Sequence, residues 1–542
     1  MIMEQLNQVL TEEEHKATLQ EEAQFAAAIP QTQPGSPLLN KVRHNFEITC
    51  LVSLLFGGLF TLGFYKAYMG LNALFFTAIM IILLMAIMKF LDVPVKTGTY
   101  LYYAGALLSG LSITLTENDS LQFMNLILIL CLLNLSLLHQ LHDTFKWDFI
   151  GHLGKMFVML LYGIASVGYP FVDGLNFLKK TKLLRSDRTR NILIGIMLSV
   201  PVLWIIIVLL SQADMIFGDM TKELMEHIFS AEIFAIGFMV LFGFFSCYCI
   251  ICGAAAQTGR EEKLRKKGAA SIASTVILLI TVIYLIFCTL QILYLFSNGL
   301  FTLPDGYTFA EYARRGFFEL LAVAVLNVAL MLITTAYFEE NSFLRGLLTL
   351  MTACTYILIG SATYRMLLYI GAYHLTLLRI LVLLALLILS FLLAGVIFSI
   401  YHKRFPLFHY FVAVITVFYL VFSFAKPDYY IASYLEKHEE ILTSEDAAFL
   451  VCDLSLDAAP VVLPLLNNEN RFTEEAKQGT ETSENTYEYE LGSRSELQTL
   501  DFYRTLYYER IQSEKNSRKL RDYDYSVTRA NSEAQKYPVR NQ

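Results

Sequence analysis

Charge is what this chain lacks over most of its length: 16% of its residues are Asp, Glu, Lys or Arg, against 56% hydrophobic. A soluble domain carries about a quarter charged residues, so the middle of the chain is not composed to face water. No basic groove is visible, and the net charge of -7 comes mainly from the segment after Lys426, which argues against a nucleic-acid partner. Cysteines are missing where a disulfide framework would need them. Cys50, Cys131, Cys247, Cys249, Cys252, Cys288 and Cys354 all fall in apolar stretches, leaving Cys452 alone in the polar tail. Cys247, Cys249 and Cys252 have no His or carboxylate close in sequence and read as buried packing rather than metal ligands. Glycine-rich phosphate loops, fixed-period repeats and Ser-His-Asp or paired-carboxylate signatures are also missing, so no cofactor and no catalytic residue is implied. Residues 1–31 are polar and acid-rich instead of a short basic region followed by an apolar core, and the first apolar stretch is expected to act as an uncleaved insertion signal.

What the chain does have is eleven apolar stretches of about 20 residues, each long enough to cross a bilayer. Lipid offers no hydrogen bonds to the backbone, and the uninterrupted runs lack the alternation of barrel strands. The expected fold is therefore all-α, a polytopic transmembrane helical bundle of about eleven spans with a small helical extramembrane C-terminal region. The spans are expected over 46–65, 71–91, 99–116, 121–141, 191–211, 232–254, 271–294, 316–337, 346–364, 376–400 and 407–425. Three regions follow: a polar N-terminal arm over 1–45, partly disordered, with a linker-like PQTQPGSP; the bundle over 46–425; and an acidic, Tyr-rich C-terminal region over 426–542.

Short loops rich in Lys and Arg stay in the cytoplasm. An inside N terminus places Lys41, Arg43, Lys89, Lys96, the 179–190 and 260–267 clusters, Lys403 and Arg404 on that side, leaving only Lys66, Lys222, Arg314, Arg315 and Arg365 opposite. The expected location is the cytoplasmic membrane, with the N terminus cytoplasmic and, for an odd span count, the C terminus extracytoplasmic. Residues 156–172 complicate the count. They are apolar but contain Gly163, Gly168 and Pro170 between basic flanks, which reads as a re-entrant or interfacial element. In the tail, two amphipathic stretches, 446–466 and 497–518, carry helical spacing, with Leu500, Tyr503, Leu506, Tyr507 and Ile511 on one face.

Four local motifs stand out: GIMLSVPVLWIIIVLLSQADMIF in the fifth span, LYLFSNGLFTLPDGYTFAEYARRGFFEL over 293–320, YRMLLYIGAYHLTLLR over 364–379, and LVCDLSLDAAPVVLPLL over 450–466 with the late LRDYDYSVTRA over 520–530. Together they resemble a family of multi-pass bacterial membrane proteins catalogued only as a domain of unknown function. The resemblance implies a fold and a location, and no catalytic residues. Members of that family usually carry glycine where this chain has His374, so the turn after Tyr373 cannot use glycine's freedom at positive φ.

The densest polar candidates face the expected outer side: Asp214, Glu311, Arg314, Arg315, Glu319, Arg365, Tyr369, Tyr373, His374 and Arg379. Glu311, Arg315 and Glu319 share a helical stripe. Arg365 or Arg379 is expected to pair with Asp214, Glu232 or Glu319, or else to snorkel to the interface. The isolated polar groups Asn134, His139, Gln291 and Asn327 read as interhelical hydrogen-bonding residues, and His139 with His142 lacks a third close metal ligand. The implied partners are the bilayer, anionic lipid head groups, or another membrane or envelope protein. Three functions remain open: a scaffold or signalling protein with a sensing tail, a secondary transporter or permease, and an envelope-lipid or glycan enzyme.

Overall fold

The computed structural model describes residues 36–142, 144, 147–180, 231–256, 267–296, 316–478 and 499–537, with isolated positions between 195 and 217. The N-terminal arm up to residue 35 and almost all of the span expected over 191–211 lie outside the described residues. Among the described residues there is no strand, and ten helices are long and apolar enough to cross a membrane.

The chain begins with the short α1 (Pro37–His44), then α2 (Phe46–Phe64), α3 (Leu71–Phe90), α4 (Thr99–Leu115) and α5 (Asp119–Leu141). α6 (Phe149–Ala165) and α7 (Tyr169–Lys180) follow, joined by a single tight turn, and then α8 (Ala231–Ala256), α9 (Ala270–Phe296), α10 (Phe317–Tyr337), α11 (Ser342–Tyr373), α12 (Leu377–Tyr401) and α13 (Leu407–Phe424). Several starts carry the cap expected of their sequence: the Asn118, Asp148 and Asn341 side chains accept from Leu121, Gly151 and Leu344 N–H. α11 runs nine residues past the end expected at Tyr364, because the Arg365 charge does not terminate it. The guanidinium is buried and donates to Gln291 Oε1 at 3.3 Å, and Gln291 also accepts from Ser361 at 2.6 Å. Asn327 likewise accepts from Tyr284 Oη at 2.7 Å and donates to Thr355 Oγ1 at 2.9 Å.

The helices gather around two apolar cores. α1 to α6 and α8 enclose one, centred on Met88, Ala106, Ile113, Leu138 and Tyr248; α9 to α12 enclose the other, centred on Ala324, Met331, Met351 and Leu393. α13 contributes Phe408 to the first and Phe411 to the second. Within the first group α2 meets α8 at Gly57 and Gly243, where a Cβ on Gly243 would stand 2.7 Å from Gly57 Cα. Without a hydrophobic drive between helices in lipid, such close backbone approach maximises dispersion contact.

The α6–α7 segment occupies one end of the bundle. Lys66, after α2, pairs with Glu232 at the start of α8, so the α8 C-terminus lies near the start of α2. Phe149 packs against Phe411 with ring centroids 4.8 Å apart, and His152 stacks on Phe408 at 4.2 Å, both at the start of α13. Gly163 backs onto Gly253 of α8. At the far end Asp173 accepts from Arg43 Nε at 2.8 Å and Tyr248 Oη at 3.0 Å, and Phe177 lies 5.5 Å from Phe46. Residues 149–177 have the length and composition of a span, but their two ends meet the starts of α13 and α2. Those starts share the end of the bundle away from the tail.

The tail forms α14 (Pro427–His438), α15 (Ser444–Ala448), α16 (Ala459–Leu466), α17 (Glu474–Gln478), α18 (Leu500–Ser517) and α19 (Tyr525–Ala534) around a third core. Ile431, Leu435, Leu450, Val462, Tyr507, Ile511 and Val527 are all nearly or completely buried there. The first amphipathic stretch bends by 115° between Ser444–Asp453 and Leu456–Leu466. At the bend Ser455 N–H and Oγ both donate to Asp428, which replaces the helical bonds lost there.

Candidate functional site

The tail is fastened to the bundle by a buried polar junction assembled from four distant parts of the sequence. The α4–α5 loop supplies Thr116, Glu117 and Asn118; the α13–α14 connection supplies Lys426 and Asp428. The bend before α16 supplies Ser455 and Asp457, and the α18–α19 connection supplies Arg518, Arg521, Asp522, Asp524 and Ser526. Asp457 is 3% exposed and accepts from Thr116 Oγ1, from Ser526 Oγ, and from Lys426 Nζ at 3.1 Å. Asp428, 2% exposed, accepts from Asn118 Nδ2 at 2.7 Å and from Ser455. Arg510 holds Glu117 at 3.4 Å and donates to the carbonyls of Val451 and Leu454. Beneath the junction Ser112 and Ser423 hydroxyls lie 2.7 Å apart, and Asn125 donates to Ser423 at 2.8 Å, so the polar column continues into the bundle.

Arginines close helix ends. Arg521 donates to the Leu62 carbonyl at 2.9 Å and the Tyr65 carbonyl at 2.6 Å, covering the orphan acceptors at the end of α2. Leu71 N–H donates to the Tyr523 carbonyl at 3.0 Å, so the start of α3 is pinned to the same strip of tail.

Asp524 caps α19: its Oδ1 accepts from Ser526 and Val527 N–H at 2.7 and 3.3 Å, while its buried Oδ2 has no hydrogen-bond partner among the described residues and lies 3.7 Å from Arg518. Burial pushes its carboxyl up to about 7 against the opposing pull of Arg518. Burial also raises Glu117, against Arg510, and Asp428, against its Ser455 and Asn118 hydrogen bonds.

The residues singled out from sequence divide into groups. Tyr369, Tyr373, His374 and Arg379 come together where α11 turns into α12. Arg379 stacks 4.3 Å over the Tyr369 ring and donates to the Tyr373 and His374 carbonyls. Arg365 lies deeper, on Gln291. Asp214 is exposed and accepts from Phe217 N–H at 2.8 Å, and Glu319 is exposed in the first turn of α10. Glu311, Arg314 and Arg315 lie outside the described residues. Glu232, an expected partner for the arginines, is taken by Lys66. His139 lies within 5.8 Å of His409, but no group of three or more His, Cys, Asp or Glu with metal-holding geometry exists among the described residues.

His374 adopts φ 68° and ψ 178°, a conformation that glycine reaches freely and side chains resist. A glycine, which the resemblance implies for this position, would meet that conformation without strain. His374 Nδ1 lies 3.5 Å from Glu439 of the tail, a half-exposed pair of small value. His374→Gly should therefore melt above His374→Ala by about 1 kcal/mol or more, since both lose Glu439 but only glycine relieves the backbone. Equal thermal midpoints for the two variants would remove the strain argument.

The junction escaped sequence reasoning, although a signal was present: Asp457 and Asp524 sit in the apolar LVCDLSLDAAPVVLPLL and in LRDYDYSVTRA, where a carboxylate has to find a buried partner. The two halves of that motif pair do meet, through Asp457 and Ser526. Searches of curated proteins and of solved structures give no match. A family model described as a domain of unknown function, DUF4153, matches residues 103–465, more than half of the chain, and the chain belongs to that family.

Proposed function

We propose that this integral membrane protein is a scaffold or sensor whose tail binds an extracytoplasmic partner or signal and passes it to the bundle. One observation carries the reading: the tail touches both helical groups. It bonds to the α2–α3 and α4–α5 loops of the first through Arg521, Tyr523, Arg510 and Asp457. It packs Leu375, Leu377 and Ile380 of the second against its own core. A change in the tail is thereby linked to the relative position of two groups that keep separate cores.

Two measurements test this reading. Exposed Cys452 should react with a membrane-impermeant maleimide in intact cells, against a Cys452→Ser control. Partners cross-linked and purified with the full chain should be lost from a chain ending at Lys426. Labelling only after permeabilisation, or an identical partner set with and without the tail, would defeat the proposal. The separate cores joined by α13 also favour a second reading, a transporter that rocks one group against the other. Substrate flux in proteoliposomes that persists without any tail partner would select it.

A further inference from the structure

A cavity of about 260 Å³ opens at the edge of the junction, between the loop after α2, the first turn of α5, and Arg518 of the tail. Tyr68, Met69, Asp119, Gln122, Phe123 and Arg518 line it. The volume is below the ~300–1,000 Å³ of pockets that hold drug-sized molecules, and suits a small polar group.

Its polar lining has two poles. Arg518, whose side chain is 9% exposed, is fixed from behind: Nε donates to Glu514 at 3.2 Å, Nη1 to the Met69 carbonyl at 2.9 Å, and the guanidinium lies 5.1 Å over the Tyr68 ring. Its Nη2 donates to nothing among the described residues, and a guanidinium edge held in this way suits a phosphate oxygen. Across the cavity the exposed Asp119 carboxylate has no partner among the described residues. Gln122, held through Nε2 to the Thr116 carbonyl at 2.7 Å, has its Oε1 left to accept. Because Glu514 and Asp524 already face Arg518, the charge left unmatched is the negative one on Asp119. The complementary ligand therefore carries a hydrogen-bonding cation for Asp119, and beside it an oxygen acceptor such as a phosphate's for the undonated Nη2 of Arg518.

Below the cavity the surface turns apolar. Phe123, Ile127 and Leu130 are 62%, 45% and 58% exposed and recur at i, i+4 and i+7, so one stripe of α5 runs from the cavity down the face that would meet lipid. We infer that this cavity seats the head group of a phospholipid bearing a primary amine, with the phosphate on Arg518, the ammonium between Asp119 and Gln122, and an acyl chain along Phe123, Ile127 and Leu130. The inference depends on the chain lying in a membrane and not on the sensor reading. It makes the lipid a wedge between tail and bundle.

The test is native mass spectrometry of the delipidated full chain titrated with dioleoyl phosphatidylethanolamine, phosphatidylcholine and phosphatidylglycerol. One phosphatidylethanolamine should bind about tenfold more tightly than either of the others, the worth of one charge-assisted hydrogen bond. Asp119→Asn, at an exposed position, should bring it down to the phosphatidylcholine level without weakening phosphatidylglycerol. Equal affinity for the three lipids, or an undiminished preference in Asp119→Asn, would overturn the assignment. Displacement of the lipid by equimolar soluble glycerophosphoethanolamine would overturn the acyl-chain part and make the free head group the ligand.

Discussion

Lys426→Met is expected to release the tail from the bundle. Lys426 is the hinge between α13 and α14, at φ 56°, and its Nζ lies 3.1 Å from Asp457 and 2.7 Å from Ser526 Oγ. The Asp457 side chain is 1% exposed and that of Lys426 17%, so water cannot replace the lost cation fully. Breaking a buried pair by removing one partner costs about 3–5 kcal/mol, and the partial exposure of Lys426 places this case near the lower bound. A domain's whole stability is about 5–15 kcal/mol, so such a loss shifts the docking balance by orders of magnitude. Limited proteolysis should then cut the tail rapidly while α2 to α13 stay protected, and hydrogen exchange should quicken across 444–466. Lys426→Met combined with Asp457→Asn should recover most of the protection, because the amide keeps a polar partner for the Thr116 and Ser526 hydroxyls without a buried charge. If the single variant resists protease as well as the parent, the pair contributes nothing to docking.

The bundle was legible in the sequence because lipid imposes one rule on every span, an apolar run of set length, and that rule acts locally. α2, α3, α5, α8, α9, α10, α12 and α13 all begin and end within two residues of the expected positions. The misjudged boundary was α11, where Arg365 looked like an end but is satisfied by Gln291, a residue on another helix. α18 was readable for a similar reason: of the expected face it buries Leu500, Tyr503, Tyr507 and Ile511, while Leu506 is only partly buried and Tyr508 is buried beside them. The junction was not readable, since Asp428, Asp457 and Asp524 take their meaning from Asn118, Lys426 and Arg518, and all but the last pair are widely separated in the chain. Arg379 shows the same limit. It was expected to snorkel or to find a carboxylate, yet the left-handed residue at the end of α11 leaves carbonyls turned outward, and these take the guanidinium.

Folding and docking of the tail should strengthen on acidification, and Asp524 sets the sign. Its carboxyl is raised from an ordinary 3.8 to about 7, so between those values the folded tail holds a proton that the unfolded chain has released. The contribution of Asp524 is therefore complete below about pH 3.8 and falls as pH rises, until the loss levels off above about 7. The interval from pH 5.5 to 7 covers a little under half of this change, and at about 1.4 kcal/mol per pH unit it amounts to about 2 kcal/mol. Glu117 and Asp428, both raised by burial, contribute with the same sign. The groups facing Asp524 are Arg518, the Ser526 and Val527 N–H groups and, further off, Asp457. Asp524→Asn keeps the Oδ1 acceptor that caps α19 and removes the proton site, so thermal unfolding of the tail followed from pH 5.5 to 8 should lose most of its slope. A slope unchanged in Asp524→Asn would assign the pH dependence to Glu117 and Asp428. In that case the orphaned Oδ2 beside Arg518 costs the folded tail as much when protonated as when charged.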